Sequence, residues 1–187
     1  MEDDESYSAV NHILSECSKM AQTEYKRRHD WVGKRIHWDV CRKYGIKVKG
    51  KWYEHQPESV VENENCKILW DFNIQTDHVI EARRPDMIVV DKVKKTCAII
   101  DFAIHYDSRV NNKEMEKIKK YQNLARELRK LWNMKVKVIL IIIGTLRITQ
   151  RQVKNRLEVI GVETSVKELQ KTVIIHSARI LRKVLAI

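Results

Sequence analysis

Two carboxylates, Asp86 and Asp101, sit on two apolar runs joined by a short basic turn. The first run reads Arg83-Arg84-Pro85-Asp86-Met87-Ile88-Val89-Val90 and the second Cys97-Ala98-Ile99-Ile100-Asp101-Phe102-Ala103-Ile104. Asp91-Lys92-Val93-Lys94-Lys95-Thr96 lies between them. β-Branched residues in runs of this length, bounded by polar turns, predict strands. A hairpin symmetric about Val93 and Lys94 pairs residue i with residue 187 − i, which sets Asp86 opposite Asp101. Directly opposed side chains have Cβ atoms about 4.5–5.5 Å apart. Like charges that close on buried strands destabilise a fold unless a positive group lies between them. A divalent cation is the simplest such group.

A helix predicted over 111–133, with Asn111-Asn112 as cap candidates, adds a second kind of charge. Its apolar face is Ile118, Tyr121, Ala125, Leu128 and Trp132, and Lys117 lies about 50° from the centre of that face. Lys119 points to solvent and Lys120 off to the side. Lys117 and Tyr121, four residues apart, are neighbours on the surface that faces the sheet. A lysine beside a metal-bound acid pair is a common requirement of phosphodiester hydrolysis, because it stabilises charge that develops on the phosphate.

The elements that must position these groups read as follows. Residues 5–44 are helical, with apolar residues at Ala21, Tyr25, Val32, Ile36, Val40 and Tyr44, a joint at Gly33 and a stop at Gly45. Residues 46–56 are a short strand or an extended connection. Pro57 to Asn63 reads as a short helix with proline in its first turn. A strand over 66–75 precedes the strands at 84–91 and 97–104. After the helix at 111–133 come a strand from Lys135 to Ile143, ended by Gly144, a helix at 150–160 closed by Gly161, and a helix at 165–185.

The αβββαβ order, Pro85-Asp86 and the fourteen residues before Asp101 resemble the core of PD-(D/E)xK, restriction-like nucleases. In that superfamily the lysine usually sits two residues after the second acid, and that place is Ala103 here. One branch carries the lysine on the following helix. It is the restriction-like endonuclease at the C-terminus of non-LTR retrotransposon reverse-transcriptase polyproteins, with the pattern Arg/Lys-Pro-Asp, a spacer, Asp, then Lys-x-x-x-Tyr. This chain has Arg84-Pro85-Asp86, Asp101 and Lys117-Ile118-Lys119-Lys120-Tyr121. The stretches His12-Ile13-Leu14-Ser15-Glu16-Cys17 and Trp70-Asp71-Phe72 are also similar to that family. The resemblance spans nearly all of the chain.

The resemblance implies an α/β (α+β) fold: a restriction-endonuclease-like αβββαβ core with a mixed four-stranded sheet, an N-terminal helical arm and a C-terminal helix. It implies a basic arm over 1–55 and an endonuclease domain over 56–187. The implied activity is Mg²⁺- or Mn²⁺-dependent DNA cleavage by a phosphodiester hydrolase. Asp86 and Asp101 would hold the metal together with a nearby backbone carbonyl. Lys117 would stabilise the developing charge, and Tyr121 would position Lys117 or the backbone. Arg83, Arg84 and Lys120 would contact DNA. The implied partner is double-stranded DNA, with RNA of the element a second candidate, and a chromosomal substrate implies the nucleus. The alternative is a catalytically inactive, nucleic-acid-binding remnant of the polyprotein. A third reading, a basic helical interaction module, predicts that Asp86 and Asp101 lie far apart.

The same family carries a CCHC zinc knuckle just before the endonuclease. His12 and Cys17 match its second half, but its first two cysteines would fall near Met1 and Asp4. Two ligands cannot close a four-coordinate zinc site, so no structural zinc is expected, and the start reads as truncated or eroded. Cys17, Cys41, Cys66 and Cys97 form no CxxC pair, and Cys66 and Cys97 read as small core residues. No apolar run in the 187 residues is long enough for a membrane span, and a formal charge of +11 favours polyanionic partners. The charge is clustered at Lys26-Arg27-Arg28, Lys34-Arg35, Arg42-Lys43, Arg83-Arg84 and Lys113 to Lys137. Glu62 and Glu64 are surface residues or suppliers of an extra acid. His105 stands where relatives often have proline. Trp31, Trp38 and Trp52 either stack on bases or pack the arm onto the core.

Overall fold

The computed structural model describes residues 10, 12–17, 21–105, 110–144, 150–162 and 164–185. Met1 and Asp4, where the first two cysteines of a knuckle would fall, lie outside the described residues. Two π-helical turns, His12–Glu16 and Ala21–Tyr25, lead into helix α1, Lys26–Lys43. Five strands form a single sheet: β1 Val60–Glu62, β2 Cys66–Trp70, β3 Met87–Asp91, β4 Thr96–His105 and β5 Lys135–Gly144. Helix α2, Val110–Trp132, connects β4 to β5, and α3, Gln150–Val159, and α4, Val166–Leu185, follow.

The strands lie in sequence order. Neighbours are antiparallel from β1 to β4, while β4 and β5 are parallel. A parallel pair needs a crossover, and α2 supplies it. The β3–β4 register pairs Met87 with Ile100, Ile88 with Ile99 and Asp91 with Thr96. Each pair sums to 187, the register that symmetry about Val93 and Lys94 requires.

Alternation along β4 splits the core between two faces. Ile100 and Phe102 join Val32, Ile36, Val40 and Cys41 of α1 and Val153, Leu157, Leu169 and Val173 of α3 and α4 on one face. Cys97 and Ile99 meet Tyr121, Leu124, Ala125 and Leu128 of α2 on the other. The fold is therefore α+β, a mixed sheet between helical layers. Helix α1 belongs to the same core as the sheet. Its Arg28 is buried and donates to the Ser177 hydroxyl (3.0 Å) and the Leu14 carbonyl (2.9 Å), so it ties helices together instead of facing a ligand.

Three local expectations change. The sheet has five strands, not four, because Val60 to Glu62 pairs with β2 instead of starting a helix at Pro57. The two β-branched valines favour the free edge of β2, which a propensity count along the chain does not see. The strand expected over 66–75 stops at Trp70, because Asp71 turns the chain with φ of 46°. Gly33 is no joint: it lies inside the continuous α1, where a Cβ would meet Trp70 Cη2 at 2.4 Å. The glycine lets helix and sheet approach. Among the described residues no helix is long and apolar enough to cross a membrane.

Candidate active site

Asp86 stands just before β3, held from both sides. Its carbonyl accepts the Asp71 N–H (2.9 Å), and Asp71 is gripped by Arg84, whose Nε and Nη2 donate to its two carboxylate oxygens at 2.7 and 2.8 Å. A paired guanidinium fork of this kind fixes a carboxylate in orientation as well as position. On the other side, Asp86 Oδ2 accepts the Phe102 N–H at 2.6 Å and meets His29 Nε2 at 3.1 Å.

Asp101 lies on β4 and its side chain turns toward α2. Lys117 Nζ donates to Asp101 Oδ2 at 2.6 Å, and the Tyr121 hydroxyl donates to Oδ1 at 2.9 Å. Lys117 Nζ also donates to the Phe102 carbonyl at 3.2 Å. The two peptide groups of Phe102 thus join the acids: its N–H is bound to Asp86 and its C=O to the lysine of Asp101. The Phe102 ring points to the opposite face, against His29 (centroids 5.9 Å apart) and Trp70 (6.3 Å). Helix α1 therefore reaches the acid pair twice, through His29 on the Asp86 carboxylate and through the same ring against Phe102.

The electrostatics separate the two acids. Burial raises the Asp101 carboxyl above its ordinary value, and the charge of Asp86 adds to that. Lys117 and Tyr121 offset only part of it. For Asp86 burial acts in the same sense, but the hydrogen bond and charge of His29, the Phe102 amide and Lys117 outweigh it and hold the carboxyl below its usual range. Burial alone would lower His29, yet its hydrogen bonds to Asp30 and Asp86 push it up to about 9, so the ring is an imidazolium at neutral pH. Burial, with Asp101 alongside, raises the Tyr121 phenol, which stays a hydrogen-bond donor. Two neighbouring carboxylates with pKa values pushed apart are a feature of functional sites.

The donors available to a cation here are two carboxylates and the Phe102 carbonyl. An all-oxygen set of this composition suits Mg²⁺ or Mn²⁺. The Lys117 ammonium, itself a cation, touches Asp101 Oδ2 and the Phe102 carbonyl together. Elsewhere, His37 Nδ1, Cys41 Sγ and His55 Nε2 lie within 4.8 Å of one another, a second group able to hold a metal. Spacing in the sequence did not reveal it.

Asp86, Asp101, Lys117 and Tyr121 come together in one cluster. The expected DNA contacts are placed differently. Arg84 is exposed but engaged with Asp71, Arg83 accepts the Ile74 N–H through its carbonyl, and exposed Lys120 lies over the Tyr121 ring at 5.0 Å. Glu62 pairs with Lys67 and Lys92 at the edge of the sheet, as a surface residue would. The side chains of His105 and Lys113 lie outside the described residues. Trp31 packs edge-on against Trp52 (5.4 Å), while Arg35 and Arg42 lie over Trp38. A cleft of about 730 Å³ opens beside Asp86 and His29, and Lys26, Arg27 and Lys34 of α1 line it.

His29 is the site residue that sequence reasoning missed, absorbed into the basic run at 26–28. A signal existed: His29 falls in the gap between Tyr25 and Val32 of the apolar stripe and shares the face of Gly33 and Ile36. A polar residue on a buried face asks for a partner.

No protein-family profile matches the chain, and no curated protein matches it. Among solved structures, the chain is similar to an N-terminal domain of a reptarenavirus L protein, at 14% identity and a TM-score of 0.35. The match covers 88% of each chain, and at that score it carries no argument about this one.

Proposed function

We propose that this protein is a metal-dependent DNA endonuclease, resembling the target-nicking domain of non-LTR retrotransposon polyproteins. One observation carries the reading: Asp86, the Phe102 peptide groups, Asp101 and Lys117 form a continuous chain of contacts at one end of the β3–β4 hairpin. A bound Mg²⁺ or Mn²⁺ would polarise the scissile phosphate and lower the pKa of a bound water.

The chain's own residues do the rest. Asp86 and Asp101 present the oxygens. Lys117, placed beside Asp101, would offer its ammonium to charge developing on the phosphate. Tyr121 fixes the Asp101 carboxylate by donating to its second oxygen. His29, protonated, holds Asp86 from the α1 side. Lys26, Arg27 and Lys34 along the cleft offer charge to successive phosphates, an attraction that falls as salt rises. A chromosomal substrate would place the protein in the nucleus.

The test is nicking of supercoiled plasmid with Mg²⁺ or Mn²⁺, wild type against Asp101→Ala, with DNA binding measured alongside. Metal-dependent nicking lost in the variant supports the reading. Binding with no metal-dependent nicking by the wild type would make the chain an inactive DNA-binding remnant.

A further inference from the structure

A second side-chain cluster lies beneath the candidate active site and takes no part in the chemistry above. Helix α1 presents His37 and Cys41 one turn apart on the same face, and both are fully buried. His55 reaches them from the connection between α1 and β1. His37 Nδ1 lies 2.8 Å from His55 Nε2, and Cys41 Sγ lies 3.5 Å from His37 Nδ1. We propose that His37, Cys41 and His55 bind a zinc ion that fastens the connection between α1 and β1 to the core.

The geometry is close to what zinc requires. With Zn–N of about 2.1 Å and Zn–S of about 2.3 Å in a tetrahedron, two nitrogens stand about 3.4 Å apart and a nitrogen and a sulfur about 3.6 Å. The Cys41–His37 separation already matches. The two imidazoles need to part by about 0.6 Å, a small rotation of the half-buried His55.

His37 Nδ1 is shared between the His55 ring and the Cys41 sulfur, and the buried His37 Nε2 makes no hydrogen bond. Zinc would take Cys41 as thiolate and release its proton. A water would complete the fourth position.

The segment held in this way, residues 44–59, contains turns but no helix or strand. Connections that long without a helix or strand are uncommon in a compact domain. The fastening also reaches the candidate active site. The His37 ring packs edge-on against Trp70 at 5.6 Å, and Trp70 packs on Phe102, whose peptide groups bind Asp86 and Lys117.

The test is metal analysis of the whole chain purified without chelator, which is independent of nuclease activity. The wild type is expected to hold about one equivalent of zinc, and cobalt substitution should give thiolate-to-metal charge-transfer absorption. His55→Gln and Cys41→Ser should each lose both signals. Cys17→Ser and Asp86→Asn should keep them, which separates this site from His12 and Cys17 and from the acid pair. If Cys41→Ser fails to fold, His55→Gln decides the matter. Wild type with less than about one tenth of an equivalent after zinc supplementation, or zinc unchanged in His55→Gln, would overturn the proposal.

Discussion

Replacing His29 with glutamine in the metal-free protein measures how strongly α1 is bound to the acid pair. His29 bridges Asp30 (3.2 Å) and Asp86 (3.1 Å), with about a quarter of its side chain exposed, so solvent screens the contact only in part. Its pKa rises from the ordinary 6.5 to about 9 on folding. At about 1.4 kcal/mol per pH unit, the proton so bound contributes about 3 kcal/mol to stability. The sign follows from the direction of the shift. Stability is fully present below pH 6.5, where both states carry the proton, and is lost as pH rises through about 9. Urea unfolding in EDTA at pH 6, 7.5 and 9.5 reads this directly. Wild type should lose about 3 kcal/mol more than His29→Gln across that range, the two curves converging at the alkaline end. Parallel curves would refute the imidazolium bridge, because a histidine used only for packing gives the same offset at every pH.

Gly33→Ala would drive a methyl group into Trp70 Cη2 at 2.4 Å and toward Phe102 at 3.1 Å. Overpacking of this kind costs about 1–3 kcal/mol, read by thermal unfolding, and should slow any metal-dependent nicking by displacing Phe102. Tyr121→Phe removes a donor from a nearly buried carboxylate. The loss should destabilise the metal-free protein by about 1–3 kcal/mol in urea unfolding. Lys34→Ala should reduce the salt slope of DNA affinity by about one phosphate contact, measured by fluorescence anisotropy from low to high salt. An unchanged slope would remove the cleft wall from the DNA path.

What was legible in the sequence was whatever local periodicity sets. The β3–β4 register follows from a turn with a centre of symmetry and holds as far as Met87 and Ile100, the residues next to the acids. Lys117 and Tyr121 follow from helix geometry, because the apolar stripe of α2 fixes which way they face. His29 was hidden because its partner is 57 residues away and depends on how α1 lies across the sheet. Gly33 looked like a joint for the same reason: the ring that demands a glycine belongs to β2. His37, Cys41 and His55 match no sequence spacing for metal ligands, since the third comes from a connection whose path only the folded chain reveals. Val60 to Glu62 became a strand through an available sheet edge, a tertiary effect that outweighed the proline signal for a helix.

The acid pair as a cation-holding, phosphate-cleaving centre is tested most directly by the rate of plasmid nicking against Mg²⁺ concentration, for wild type and Asp86→Asn. The predicted result is a saturable metal dependence in the wild type and a loss of about a hundredfold or more in the variant. Nicking that needs no metal, or that proceeds equally in Asp86→Asn, would contradict it.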